Sequence, residues 1–151
     1  MPFAVKREVI MSTIEEIAGL LRQTEQFELE NREILAKYTP AELAEIYNGI
    51  GPDSFPDWLR GMITELHPSL AVVALIHDVE WYESDGSDAG FTASNDRFRR
   101  NGYKVAKGGY AWWNPVRYFV MFDARKFAWV CQEFGHDDWL TNAGRANNFS
   151  R

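Results

Sequence analysis

At 151 residues, with 46% hydrophobic and 25% charged residues, the chain has the size and composition of one globular domain. Its formal net charge of -6 repels phosphate backbones and anionic lipid surfaces, which argues against a nucleic-acid partner. Cys131 is the only cysteine, no signal sequence opens the chain, and no apolar run is long enough for a transmembrane segment, so we expect a cytoplasmic protein without disulfides.

Hydrophobic spacing predicts an all-α fold, a single domain of five or six helices around a central antiparallel helix pair. Helix start signals occur at 12–15 and 39–42, where a serine or threonine precedes a glutamate by three residues. Taken in chain order, these patterns predict helices at 13–37, 39–47, 56–66, 69–83, 93–107 and 114–134, and a polar, frayed tail at 141–151.

The helices predicted at 69–83 and 93–107 form the antiparallel pair, because a short acidic turn joins them. His77 falls on an apolar stripe of the first helix, and Asp96 lies near the start of the second. Asp96 is therefore expected to approach the imidazole of His77 and orient it as a general base. Asp78 points about 100° away around the helix and is free to bind a cation.

Three stretches in this order resemble the phospholipase A2 superfamily, especially its disulfide-poor prokaryotic and phage-encoded members. They are Tyr47-Asn48-Gly49-Ile50-Gly51, His77-Asp78-Val79-Glu80-Trp81 and Asn95-Asp96-Arg97-Phe98. The resemblance implies a calcium-assisted ester hydrolase acting on a phospholipid or another ester.

The same resemblance implies a role for each matching residue. His77 would activate water and Asp96 would orient the histidine. The calcium ligands would be the carboxylate of Asp78 and the backbone carbonyls of Tyr47, Gly49 and Gly51. Trp81, which stands four residues after the histidine where the family usually has tyrosine, would contact the substrate.

Each of these residues also has an ordinary structural interpretation. A histidine on an apolar helix face is usually a core residue, and paired glycines such as Gly49 and Gly51 commonly end a helix. Asp96 could be a surface carboxylate paired with Arg99 or Arg100, at helical spacings of three and four. Under this interpretation, the chain is a non-catalytic helical binding or structural module of phage or cytoplasmic origin.

Exposed aromatic side chains would give such a module its contact with a protein partner. Trp112 and Trp113, beside Tyr110, are also compatible with an interfacial anchor of the kind that lipolytic enzymes use. Contact with the core or with a partner is the more common use of such residues.

Overall fold

The computed structural model describes residues 3–47, 62 and 65–149, and the side chains of those lying between Thr13 and Ala143. Within this part the prediction of an all-α single domain is confirmed, and none of its helices is long and apolar enough to cross a membrane. The helices are α1 (Phe3–Gln26), α2 (Pro40–Tyr47), α3 (Ala71–Tyr82), α4 (Asp88–Gly109), α5 (Pro115–Phe134) and α6 (His136–Phe149), with 3-10 helices at Arg32–Lys37 and Pro68–Leu70.

The first helix differs from its prediction at both ends. It begins at Phe3, before the start signal at 12–15, and it ends at Gln26 where the prediction continued to residue 37. The chain turns after Gln26 because Glu28 and Asn31 adopt left-handed conformations, with φ of 51° and 61°. This turn buries Leu29 completely and separates α1 from the 3-10 helix that follows.

The start signal at 39–42 forms the capping box that its residue types predict. The backbone N–H of Glu42 donates to Thr39 Oγ1 at 3.2 Å, and the backbone N–H of Thr39 donates to Glu42 Oε2 at 2.7 Å. The helix that follows, α2, matches the one predicted at 39–47. The helix predicted at 56–66 lies almost wholly outside the described residues.

The central element is α3, which is buried on all sides. Every residue from Val72 to Trp81 is buried, whereas the sequence predicted burial along one stripe. Helices α1, α2, α4 and α6 all contact it. Polar side chains in a helix enclosed in this way usually have hydrogen-bond partners, and the titratable side chains of this stretch are those of His77, Asp78 and Glu80.

Among the described helices, α4 and α5 make the most extensive contact, so the tightest antiparallel pair is not the predicted one. A Cβ atom added at Gly102 of α4 would overlap the Cβ atom of Ala124 of α5, which explains why the two backbones can approach so closely. Helix α4 also begins earlier than the predicted residue 93, because Ser87 Oγ accepts the backbone N–H of Gly90 at 3.0 Å.

The prediction of a frayed tail at 141–151 is wrong for the described residues, which form α6 from His136 to Phe149. Trp139 anchors this helix: it is 3% exposed, and its ring centroid lies 6.0 Å from that of Trp81. Its indole N–H donates to the carbonyl of Ser87 at 3.0 Å. One buried aromatic residue thus holds a segment whose composition is otherwise polar.

Candidate functional site

His77 is enclosed by aromatic side chains. It is 2% exposed, and the ring centroids of Trp81, Phe98 and Phe127 lie 5.1, 5.2 and 5.6 Å from its own. Burial lowers the pKa of the imidazole, while its hydrogen bond to the Asn95 amide oxygen and the charge of Glu80 act in the opposite direction. The histidine is therefore neutral at neutral pH.

The hydrogen-bond partner of His77 is Asn95. The distance from His77 Nε2 to Asn95 Oδ1 is 3.0 Å. The Asn95 amide donates in turn to Gln132 Oε1 at 2.9 Å, and the Gln132 amide donates to Thr92 Oγ1 at 3.1 Å. These amide orientations make His77 Nε2 the donor in its bond to Asn95. A polar chain therefore runs from the buried imidazole to the surface at Thr92.

The predicted contact between His77 and Asp96 is wrong. The Asp96 side chain is 53% exposed and lies 3.9 Å from the guanidinium of Arg99, three residues further along α4. The inward side of α4 carries Phe91, Asn95 and Phe98, at the spacing of one helix face, and Asp96 lies about 100° away from Asn95. Asp96 therefore has the surface role that was its alternative interpretation.

Asp78 is buried inside the fold. It is 1% exposed, and its Oδ2 atom has no hydrogen-bond partner among the described residues. Burial raises the pKa of this carboxyl well above the ordinary value. Tyr47 lies close enough to Asp78 for the two groups to interact electrostatically. Its burial, and then the charges of Glu16 and Asp78, raise the pKa of Tyr47 to about 12.

The predicted calcium site is only partly within the described residues, since Gly49 and Gly51 lie outside them. Calcium takes about six to eight oxygen ligands. The part of the chain that the structure describes contains no group of three or more Asp, Glu, His or Cys side chains arranged to hold a metal ion. The predicted ligands Asp78 and Tyr47 belong to no such group within this part of the chain.

Trp81 is a core residue and not a substrate contact in this structure. It is 0% exposed, and its ring packs against those of His77, Phe91 and Trp139. A Cβ atom added at Gly135 would overlap the Trp81 ring, so the indole fills the space beside the junction of α5 and α6. The indole therefore joins α3 to the C-terminal helices.

Glu80 is the buried charge that the sequence patterns did not single out. Its Oε1 atom accepts from Asn31 Nδ2 at 2.8 Å and from the guanidinium of Arg97, and its Oε2 atom accepts from Ser94 Oγ at 2.7 Å. Ser94 and Arg97 share one face of α4 at a spacing of three residues. The sequence does contain a signal for this site, because Glu80 is an acidic residue in a largely apolar helix and a buried charge requires partners.

Large aromatic side chains are exposed on and before α5. Each is between 54% and 73% exposed, and we call them the aromatic face: Trp112, Trp113, Tyr118, Phe119, Phe122 and Trp129. The hydroxyl of Tyr118 donates to the carbonyl of Trp112 at 2.7 Å, which joins the turn before α5 to the first residues of the helix. Phe127, on the opposite side of the helix, is 1% exposed and reaches His77.

Comparison of the chain with protein-family models, with curated proteins and with solved structures gave no match. Two features of the geometry bear on the function of the protein. One is the enclosed position of His77 and Asp78, and the other is the aromatic face.

Replacing Asp78 by asparagine is expected to stabilise the protein at high pH. Because burial raises the pKa of Asp78, its contribution to stability is fully present below the unfolded value of 3.8 and is lost as pH rises through the folded pKa. The asparagine amide does not ionise in this pH range. Compared with the native protein, the free energy of unfolding should therefore rise by on the order of 2 kcal/mol at about pH 8 and by much less at about pH 4.

Urea unfolding at the two pH values measures this difference. Asp96→Asn is the control, because the exposed Asp96 should change the free energy of unfolding by less than about 0.5 kcal/mol at either pH. An equal gain at both pH values for Asp78→Asn would contradict the burial of an ionisable carboxyl.

Proposed function

We propose that this chain is a non-catalytic helical binding module that contacts its partner through the aromatic face. The observation that carries this proposal is the exposure of six large aromatic side chains on one helix and the turn before it. At about 200 Å² per side chain, their exposed fractions together amount to roughly 760 Å² of surface. The largest apolar patch of a typical monomer is about 300–600 Å², and larger patches usually mark interaction sites.

The setting of His77 supports a structural role for this residue. A general base must reach its substrate or a water molecule, and His77 is closed in by three aromatic rings. Its partner is the neutral amide of Asn95, which stabilises an imidazolium less than a carboxylate would. The lowered pKa of His77 agrees with a histidine that stays neutral inside the core.

Calcium-dependent release of fatty acid from mixed phospholipid micelles tests whether the module is catalytic. Native protein and Asp78→Asn are both expected to give the signal of a protein-free blank. Release by the native protein that is lost in Asp78→Asn would overturn the non-catalytic proposal.

Paired substitutions on α5 test whether the aromatic face is free for a partner. Phe122→Ser should change the free energy of unfolding by less than about 0.5 kcal/mol, because Phe122 is 64% exposed. Phe127→Ser on the same helix should cost about 4 kcal/mol, because Phe127 is 1% exposed. Equal losses would show that the face packs within the fold, and the proposal would fail.

A calcium-assisted ester hydrolase of phospholipase A2 type is the second candidate, and one observation favours it. Asp78 Oδ2 is buried near Tyr47 without a hydrogen-bond partner among the described residues, as an oxygen reserved for a cation would be. This activity would also require His77 to become accessible to water. The same micelle assay decides between the two candidates.

A further inference from the structure

The aromatic face carries basic side chains as well as rings. At about 100° per residue, Tyr118, Phe122 and Trp129 project within about 40° of one another around α5. Arg125 and Lys126 are exposed in the same third of the helix circumference. Neither of these two basic side chains forms an ion pair with the part of the chain that the structure describes. Their charges are therefore available to a partner.

The charge of this segment is opposite to that of the chain. Residues 112–129 contain three basic residues, Arg117, Arg125 and Lys126, and one acidic residue, Asp123. Asp123 is half-buried, and its Oδ2 atom accepts the backbone N–H of His67 at 2.7 Å, so its carboxylate is tied to the fold. The chain as a whole has a net charge of -6. An anionic surface would attract the aromatic face and repel the remainder of the protein. The protein would therefore bind with the aromatic face towards that surface.

A helix face that carries both large aromatic rings and basic side chains has the composition of a segment that binds the headgroup region of a membrane. Tryptophan, tyrosine and phenylalanine rings enter the boundary between headgroups and acyl chains, while arginine and lysine stay at the level of anionic headgroups. A second copy of this chain fits less well, because a symmetric contact would place Arg125 and Lys126 of both copies in one interface, with no acidic side chain free to pair with them on the same face between residues 112 and 129.

We propose that the aromatic face binds the surface of an anionic lipid bilayer, with α5 lying in the plane of the interface and the remainder of the domain outside it. This proposal rests on the proposed function, because it names the partner of the same face. The overall negative charge opposes such binding only weakly, because screening over about 10 Å limits the repulsion from the more distant acidic residues.

Co-sedimentation with lipid vesicles tests the proposal. Native protein should sediment with vesicles of phosphatidylcholine mixed with phosphatidylglycerol, should bind pure phosphatidylcholine vesicles at least roughly tenfold more weakly, and should be released by added salt. Arg125→Glu/Lys126→Glu and Trp113→Ser/Phe122→Ser should each weaken binding to the mixed vesicles by roughly tenfold or more.

Two control variants with matched substitutions outside the aromatic face show whether a loss of vesicle binding is specific to that face. Arg99→Glu/Lys107→Glu makes the same change in net charge at two exposed positions of α4, and Tyr82→Ser/Leu140→Ser removes two exposed apolar side chains elsewhere. Both control proteins should bind the mixed vesicles as the native protein does. Circular dichroism and thermal unfolding show that all four variants are folded before binding is compared.

Several outcomes would overturn the lipid proposal. They are equal binding to both kinds of vesicle, equal loss in the face variants and their controls, and no sedimentation. A concentration-dependent dimer that Trp113→Ser/Phe122→Ser abolishes, without vesicle binding, would assign the face to a second copy instead. A monomer that binds no vesicle would point to a protein partner.

Fatty-acid release measured in the same vesicle suspensions distinguishes the two proposals. Vesicle binding without release supports both of them. Binding accompanied by release that Asp78→Asn abolishes overturns only the non-catalytic proposal, and absence of binding overturns only the lipid proposal.

Discussion

Replacing Trp81 by alanine is expected to lower the free energy of unfolding by about 4 kcal/mol. Trp81 is fully buried, and its ring lies 5.9 Å from that of Phe91 and 6.0 Å from that of Trp139. Alanine would leave a cavity where α3 meets the C-terminal helices. Helix α6 should then lose much of its anchorage, because Trp139 would no longer pack against a ring.

Trp113→Ala is the matched control, since it removes the same side chain from a site that is 70% exposed. It should change the free energy of unfolding by less than about 0.5 kcal/mol. Chemical unfolding of the two variants measures the difference. If Trp81→Ala were as stable as Trp113→Ala, the ring could not be a core residue, and the substrate-contact interpretation would regain support.

Replacing Glu80 by alanine is expected to cost about 3 kcal/mol. The carboxylate of Glu80 is 6% exposed and accepts from Asn31, Ser94 and Arg97. Alanine would leave the buried hydroxyl of Ser94 and the partly buried guanidinium of Arg97 without their acceptor. An unpaired polar group in the interior costs more than the original hydrogen bond contributed, so the loss should be large.

Two variants separate the buried charge from an ordinary ion pair. Glu80→Gln keeps the shape and one acceptor oxygen, so it should restore part of the lost stability. Glu30→Ala breaks the pair between Glu30 and Arg100, whose side chains are 37% and 46% exposed, and should cost less than about 1 kcal/mol. Comparable losses of unfolding free energy for Glu80→Ala and Glu30→Ala in urea would show that the burial of Glu80 does not increase its contribution to stability.

The difference between Asn95 and Asp96 shows how far helical periodicity alone can locate a site. The sequence-based expectation is that the helix following His77 brings the carboxylate of Asp96 against the imidazole, whereas the structure places Asn95 there. Phe91, Phe98 and Val105 repeat every seven residues and mark the buried side of α4, and Asn95 lies on that side. The expected chemistry of a histidine–carboxylate pair favours Asp96, but the seven-residue repeat, which is visible in the sequence, places Asn95 on the buried side.

The sequence by itself determined the helical class, the capping box at 39–42 and the placement of the buried helix around His77. These features depend on contacts between residues close in the chain, and residue types report such contacts directly. The turn that ends α1 was less predictable, because Glu28 and Asn31 take left-handed conformations to bury Leu29.

Only the tertiary structure decided which polar side chains contact each other and which aromatic side chains remain exposed to solvent. Asn95 reaches His77, and Arg97 reaches Glu80, because the packing of α4 against α3 sets the rotation of each helix about its axis. Helix α5 likewise has aromatic residues on both sides, and its contact with α4 buries Phe127 while Phe122 remains exposed. Burial depends on what covers each face, and the covering residues are distant in the chain.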